Sequence, residues 1–82
     1  MIVVDVFVPA LDKVYNFSLN ENVKIDAVIT EITDMIEQKE KMVFVGDQSK
    51  LRLYNKETYQ KLPVKNSLSE CSIRSGKYLI LI

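Results

Sequence analysis

Thiol chemistry in this chain would have to run through Cys71, its only cysteine. A thiol becomes a useful nucleophile when a neighbouring base or cation stabilises the thiolate, and the sequence contains no histidine to serve. The same absence removes the commonest general base and the commonest metal ligand. Carboxylates are plentiful, but Asp26, Glu31 and Asp34 fall on the polar side of one helical pattern, where solvation is their ordinary role. Gly46 and Gly76 are the only glycines, and they form no phosphate-cradling motif. Cys71 itself reads as a small, partly buried side chain in a turn. The expectation is a protein that binds rather than catalyses, with no catalytic residue, cofactor or metal site.

Eleven basic residues balance eleven acidic ones without a run of either sign. That balance speaks against a nucleic-acid-binding surface and against an acidic disordered tail. At 82 residues and 48% hydrophobic, the chain suits one domain spanning residues 1–82, with a core that must be well packed. A lone cysteine fits a reducing compartment. No basic segment precedes the first apolar run, and no apolar stretch approaches the roughly 20 residues of a membrane span. A cytoplasmic protein that does not insert into membranes, monomeric or a weak homodimer, is expected.

The elements that must position any binding surface follow from periodicity. Met1 to Val8 is a Val- and Ile-rich strand whose even positions, Ile2, Val4, Val6 and Val8, face a core, with Val3, Asp5 and Phe7 opposite. Pro9 to Asp12 suits a turn. From Lys13 the alternation resumes, with Tyr15, Phe17 and Leu19 on one face and Val14, Asn16 and Ser18 on the other, so the pair reads as an antiparallel hairpin. Asn22 is a plausible cap for a helix over residues 24–39, whose stripe is Ile25, Val28, Ile29, Ile32 and Ile36. Thr33 falls mostly off that stripe. Met42 to Val45, closed by a turn at Gly46-Asp47, suits a helix extension, a short strand or a packed connector, and the packed connector is the reading preferred. Lys50 to Tyr54 alternates as a strand with Leu51 and Leu53 inward, and Thr58 to Leu62 reads as a further short strand. Leu68 and Ile73 are apolar anchors in a polar connection, and Ser75-Gly76 turns the chain into a last strand, Lys77 to Ile82. Periodicity therefore gives an α+β fold.

Leu51-Arg-Leu-Tyr-Asn55, the short strand after it, Ser67-Leu-Ser-Glu-Cys-Ser-Ile73 and the closing strand resemble the second half of a ubiquitin-like domain. In that superfamily a Leu-Ser-acid-x-x-Ile element makes a tight turn before the last strand, and Leu68, Ser69-Glu70 and Ile73 match it. The resemblance extends over nearly the whole chain, because the hairpin and Ile25, Val28 and Ile32 also align. It implies a β-grasp fold: a mixed sheet of four to five strands on one amphipathic helix, with the first and last strands central and parallel. Within the superfamily the chain is most similar to the YukD and EsaB family, accessory proteins of Gram-positive type VII (WXG-protein) secretion systems. The shared features are the short length, an apolar segment after the helix, and an ending like Ile73-Arg-Ser-Gly-Lys-Tyr-Leu-Ile-Leu-Ile82.

The carrier proteins of the superfamily resemble one another in a flexible C-terminal Gly-Gly, which gives an adenylating enzyme an unhindered carboxylate. Here the sequence ends in a predicted strand at β-branched Ile82, so a non-conjugated protein is expected. The resemblance then implies docking on the secretion apparatus, on its membrane ATPase or a polytopic membrane protein, and a place in the cytoplasm or peripheral to that membrane complex. Alternatives are a β-grasp adaptor unrelated to secretion and a sulfur carrier or modifier with a processed tail. Strand parity places Leu79 and Leu81 in the core and Tyr78, Ile80 and Ile82 on the other face. Parallel pairing brings Phe7 beside them, and Arg52 and Tyr54 join from the neighbouring strand. These six are the candidate protein-docking patch, on the sheet surface that ubiquitin-like domains commonly use. Arg52 stands where the resemblance expects an exposed Ile, which implies a dedicated partner.

Overall fold

The computed structural model describes every residue except Val45 and Asp47, with Gln48 described through its backbone alone. Four strands, β1 (Ile2–Val8), β2 (Lys13–Leu19), β3 (Leu53–Asn55) and β4 (Tyr78–Leu81), form one sheet in the order β2-β1-β4-β3. β1 is antiparallel to β2 and parallel to β4, and β3 is antiparallel to β4. One helix, α1 (Ile25–Glu40), covers one face. This is the expected mixed sheet on one amphipathic helix.

The strand parities hold. Val4, Val6 and Val8, then Tyr15, Phe17 and Leu19, then Leu79 and Leu81, are all buried against the helix. From α1 come Ile25, Val28, Ile29, Ile32 and Ile36, each buried. Removing such a side chain from water contributes about 1.5–3 kcal/mol, so this stripe is a main source of cohesion. Thr33 is buried too, beside the stripe rather than off it. Its Oγ1 donates to the Thr30 carbonyl at 2.9 Å, and that local bond is what lets a hydroxyl sit in the core.

Asn22 is not the helix cap. The helix starts at Ile25 with Lys24 in the cap position and no capping side chain. Its first amides are satisfied from outside: Ile25 N–H donates to the Asn66 carbonyl at 2.8 Å and Asp26 N–H to that of Val64 at 3.1 Å. Orphan helix donors need partners of some kind, and here the loop before the last turn supplies them. At the other end Lys41 takes a left-handed conformation, and its N–H returns to the Glu37 carbonyl, which closes the helix in the usual way.

After the helix, Phe44 packs partly against the core, and its N–H donates to Glu37 Oε2 at 2.8 Å. Val43 is 76% exposed, so among the described residues of the connector it is Phe44 that packs on the core. Val45 and Asp47, part of the expected connector and its turn, lie outside the described residues. Lys50 belongs to a 3-10 turn (Gln48–Lys50), and the strand expected from it starts at Leu53. Thr58 to Leu62 is not a strand. Tyr59 has φ +59, and only Lys61 makes an isolated bridge, to Tyr54. A left-handed residue cannot continue a strand, and the Tyr59 N–H instead closes a tight turn on the Asn55 carbonyl.

The turn before β4 has a clear cause. Glu70 N–H donates to Ser67 Oγ at 3.2 Å, and Ser67 N–H donates to Glu70 Oε1 at 2.8 Å. This reciprocal pair is a capping box, and it drops Leu68 and Ile73 into the core, where both are buried. Gly76, at φ +90, then redirects the chain into β4.

One surface contact ties the hairpin to the helix end. Lys13 Nζ donates to Glu40 Oε2 at 2.6 Å, and Lys39 lies 5.4 Å from the Tyr15 ring centre. The hydrogen bond to Lys13 holds the Glu40 carboxyl below its ordinary value of 4.5. The bond to Glu40 holds Lys13 above its ordinary value of 10.5. The Glu40 contribution is therefore complete above pH 4.5 and lost as pH falls through its lowered value. The Lys13 contribution is complete below pH 10.5 and lost as pH rises through its raised value. Thermal melts of Glu40→Gln should differ from wild type at neutral pH and converge with it in acid. A difference that persists unchanged at low pH would remove the bridge from the account. The effect is small, as for exposed pairs generally.

Candidate docking surface

The sheet face away from α1 carries the outward side chains of all four strands. Register sets them in rows. Val14 lies opposite Phe7, Phe7 opposite Ile80, and Ile80 opposite Tyr54. The bridge from Tyr54 to Lys61 extends this row by one residue. Directly opposed side chains on one face are in contact range, so Phe7, Ile80 and Tyr54 form a contiguous apolar stripe with Ile80 central. A second row runs Asn16, Asp5, Tyr78, and Lys56 Nζ lies 5.3 Å from the Tyr78 ring centre. Ile82 closes a third row with Arg52: Arg52 N–H donates to the Ile82 carbonyl at 2.8 Å, and Ile82 N–H to that of Arg52 at 3.0 Å.

Five of the six residues expected from sequence therefore share this face: Phe7, Tyr54, Tyr78, Ile80 and Ile82. Phe7, Tyr54, Tyr78 and Ile80 are half-buried, and Ile82 is 59% exposed. Arg52 joins them through its backbone only. Its guanidinium turns to the carbonyls of Ser49 and Leu51, donating at 2.6 and 2.8 Å. There it lines a groove of about 260 Å³ with Asp26, Ile29, Thr30, Thr33 and Val64. Both bonds leave from Nη1, and they hold the guanidinium at this groove rather than on the outer sheet face.

Three members of the surface were missed. Val14, 51% exposed, continues the stripe on the β2 side. Its outward parity was visible, but the register that sets it beside Phe7 was not. Lys56 and Lys61 flank the stripe on the β3 side, and no carboxylate pairs with either among the described residues. Among the outward residues of the four described strands Asp5 is the one acid, and it accepts from Asn16 Nδ2 at 3.0 Å. The surface is thus apolar at its centre and basic along one side.

Other chemistry is sparse among the described residues. Cys71 is half-buried, and burial, opposed by a hydrogen bond from Asn66 and assisted by the Glu70 charge, pushes its thiol above the ordinary 9.0. That direction reduces thiolate at neutral pH. No group of three or more Cys, Asp or Glu side chains among the described residues could hold a metal ion. No helix among them is long and apolar enough to cross a membrane.

No family model matches the chain, and no curated protein does. Solved structures do. The EccD5 ubiquitin-like domain from Mycobacterium xenopi is similar at TM-score 0.78 and 19% identity, covering 99% of this chain and 91% of that one. The N-terminal ubiquitin-like domain of the 4931431F19Rik protein is similar at TM-score 0.75 and 21% identity, covering 99% and 72%. A ubiquitin-like domain from Arabidopsis thaliana gives TM-score 0.72 and 16% identity over 99% and 74%. Likeness at these identities is likeness of fold: the chain has the ubiquitin-like β-grasp fold.

Proposed function

We propose that this protein is a non-conjugated ubiquitin-like adaptor that docks, without covalent chemistry, on a component of a type VII-like secretion apparatus. The docking reading is carried by the uncovered stripe Val14, Phe7, Ile80 and Tyr54, which crosses all four strands. Aromatic and aliphatic groups concentrated at the centre of a surface with cations at its margin match the anatomy of protein interfaces. The secretion context is supported by the YukD- and EsaB-like sequence pattern, and the fold likeness to the EccD5 ubiquitin-like domain is compatible with it. On this reading the partner is the membrane ATPase or a polytopic membrane protein, engaged from the cytoplasm. The segment it offers is apolar, with Asp or Glu over Lys56 and Lys61.

Affinity purification from the native host tests this. The wild-type protein should retain one of those apparatus components, and Phe7→Asp, folded by circular dichroism, should lose it. Capture of unrelated proteins only would favour a general adaptor. A C-terminal adenylate or thiocarboxylate found by mass spectrometry would instead revive the carrier reading.

A further inference from the structure

The two edges of the sheet are treated differently. β3 is three residues long, and its outer side is covered. Asn55 N–H donates to the Gln60 carbonyl and Leu62 N–H to that of Leu53, so the 56–62 turn occupies that edge. β2 is seven residues long and forms the other edge. Among the described residues no hydrogen bond reaches its outer side. It contains neither Pro nor Gly, and its one charge, Lys13, sits at the end and is bound to Glu40. Natural sheets usually blunt an edge of this length.

The groups that edge presents can be identified. Asp5 N–H donates to the Lys77 carbonyl, and the Val3 carbonyl accepts from Gly76, so Val3, Asp5 and Phe7 direct their backbone groups toward β4. Val4, Val6 and Val8 therefore direct theirs toward β2, where they meet Phe17, Tyr15 and Lys13. Backbone polarity alternates along a strand, which leaves Val14, Asn16 and Ser18 with their N–H and C=O groups directed away from the sheet. All three residues are exposed.

We propose that β2 is a self-pairing edge, and that two copies of this chain join through it as an antiparallel, two-fold dimer centred on Asn16. In that register Asn16 pairs with Asn16 of the second copy and Val14 with its Ser18. Every outward N–H and C=O of the three residues then has a partner. The pairing is also free of charge conflict, because Lys13 falls opposite Leu19 and the central pair is neutral. The two-fold axis is perpendicular to the sheet, so both helices lie on one side. The two docking stripes share the other side of a continuous eight-stranded sheet. The contact is small beside the roughly 800 Å² per partner of stable interfaces, so the dimer is weak and concentration-dependent.

Sedimentation equilibrium of the purified protein from about 10 μM to about 1 mM tests this. Association should appear across that range, and amide shifts that grow with concentration should be largest at Val14, Asn16 and Ser18. The double variant Val14→Lys with Ser18→Lys sets lysines opposite each other twice. It should weaken self-association at least tenfold with an unchanged circular dichroism spectrum. Val14→Glu with Ser18→Glu should do the same. An equimolar mixture of the two should associate at least tenfold more tightly than either alone. A protein that stays monomeric to 1 mM overturns the proposal, as does a lysine variant that associates like wild type or a mixture that fails to associate. A foreign strand bound at β2 while the pure protein remains monomeric overturns it too.

Discussion

Leu79→Ala is expected to remove about 3 kcal/mol of stability, within the 2–5 kcal/mol typical of such truncations. Leu79 is fully buried on β4, a strand hydrogen-bonded on both sides by β1 and β3. A cavity there cannot be closed by moving a loop, because two strands and the helix would have to shift together. For a domain of this size 1 kcal/mol corresponds to about 4–8 °C, so the melting temperature should fall by about 12–24 °C. Total stability for a chain this small is on the order of 4–12 kcal/mol, so a fraction of the variant should be unfolded at 37 °C. Ile82→Ala, at an exposed position three residues on, should change stability by no more than about 0.5 kcal/mol. A drop of only a few degrees for Leu79→Ala would mean that β4 is not the central core strand.

That contrast was legible because alternation along Tyr78–Leu81 is strict and period two leaves no ambiguity about faces. The helix stripe was legible for the same reason at its own period. What local pattern could not carry was the outcome of competition between distant groups. Asn22 looks like a cap in isolation, but the Asn66 and Val64 carbonyls reach the helix start first. Thr58 to Leu62 has strand composition, but closing on the Asn55 carbonyl forces Tyr59 left-handed and breaks the run. The candidate surface divides along the same line. Parity put Phe7, Tyr54, Tyr78, Ile80 and Ile82 on the outer sheet face, where the structure has them. Val14 depended on the hairpin register, and Lys61 on a bridge made after the turn. Arg52 shows the converse limit: backbone parity sets where a side chain begins, and a flexible arginine chooses its own end.

Ile80→Asp should reduce partner affinity about thirtyfold or more while costing only about 1 kcal/mol of stability. Ile80 occupies the middle of the stripe, opposed by Phe7 on one side and Tyr54 on the other. Central, well-surrounded positions are where truncation costs most at an interface, and 2 kcal/mol there corresponds to about thirtyfold. A carboxylate at this point must also be desolvated by any apolar partner, which adds to the loss. It remains half-exposed in the free protein, so folding does not bury it. The neighbouring change Leu79→Asp provides the internal control. It places the same charge one residue away but on the buried face, and it should prevent folding altogether. Partner binding measured by calorimetry, paired with melts of both variants, separates surface from core on a single strand. If Ile80→Asp stays folded and binds the partner as wild type does, the outer sheet face is not the docking surface, and the groove beneath Arg52 becomes the next place to look.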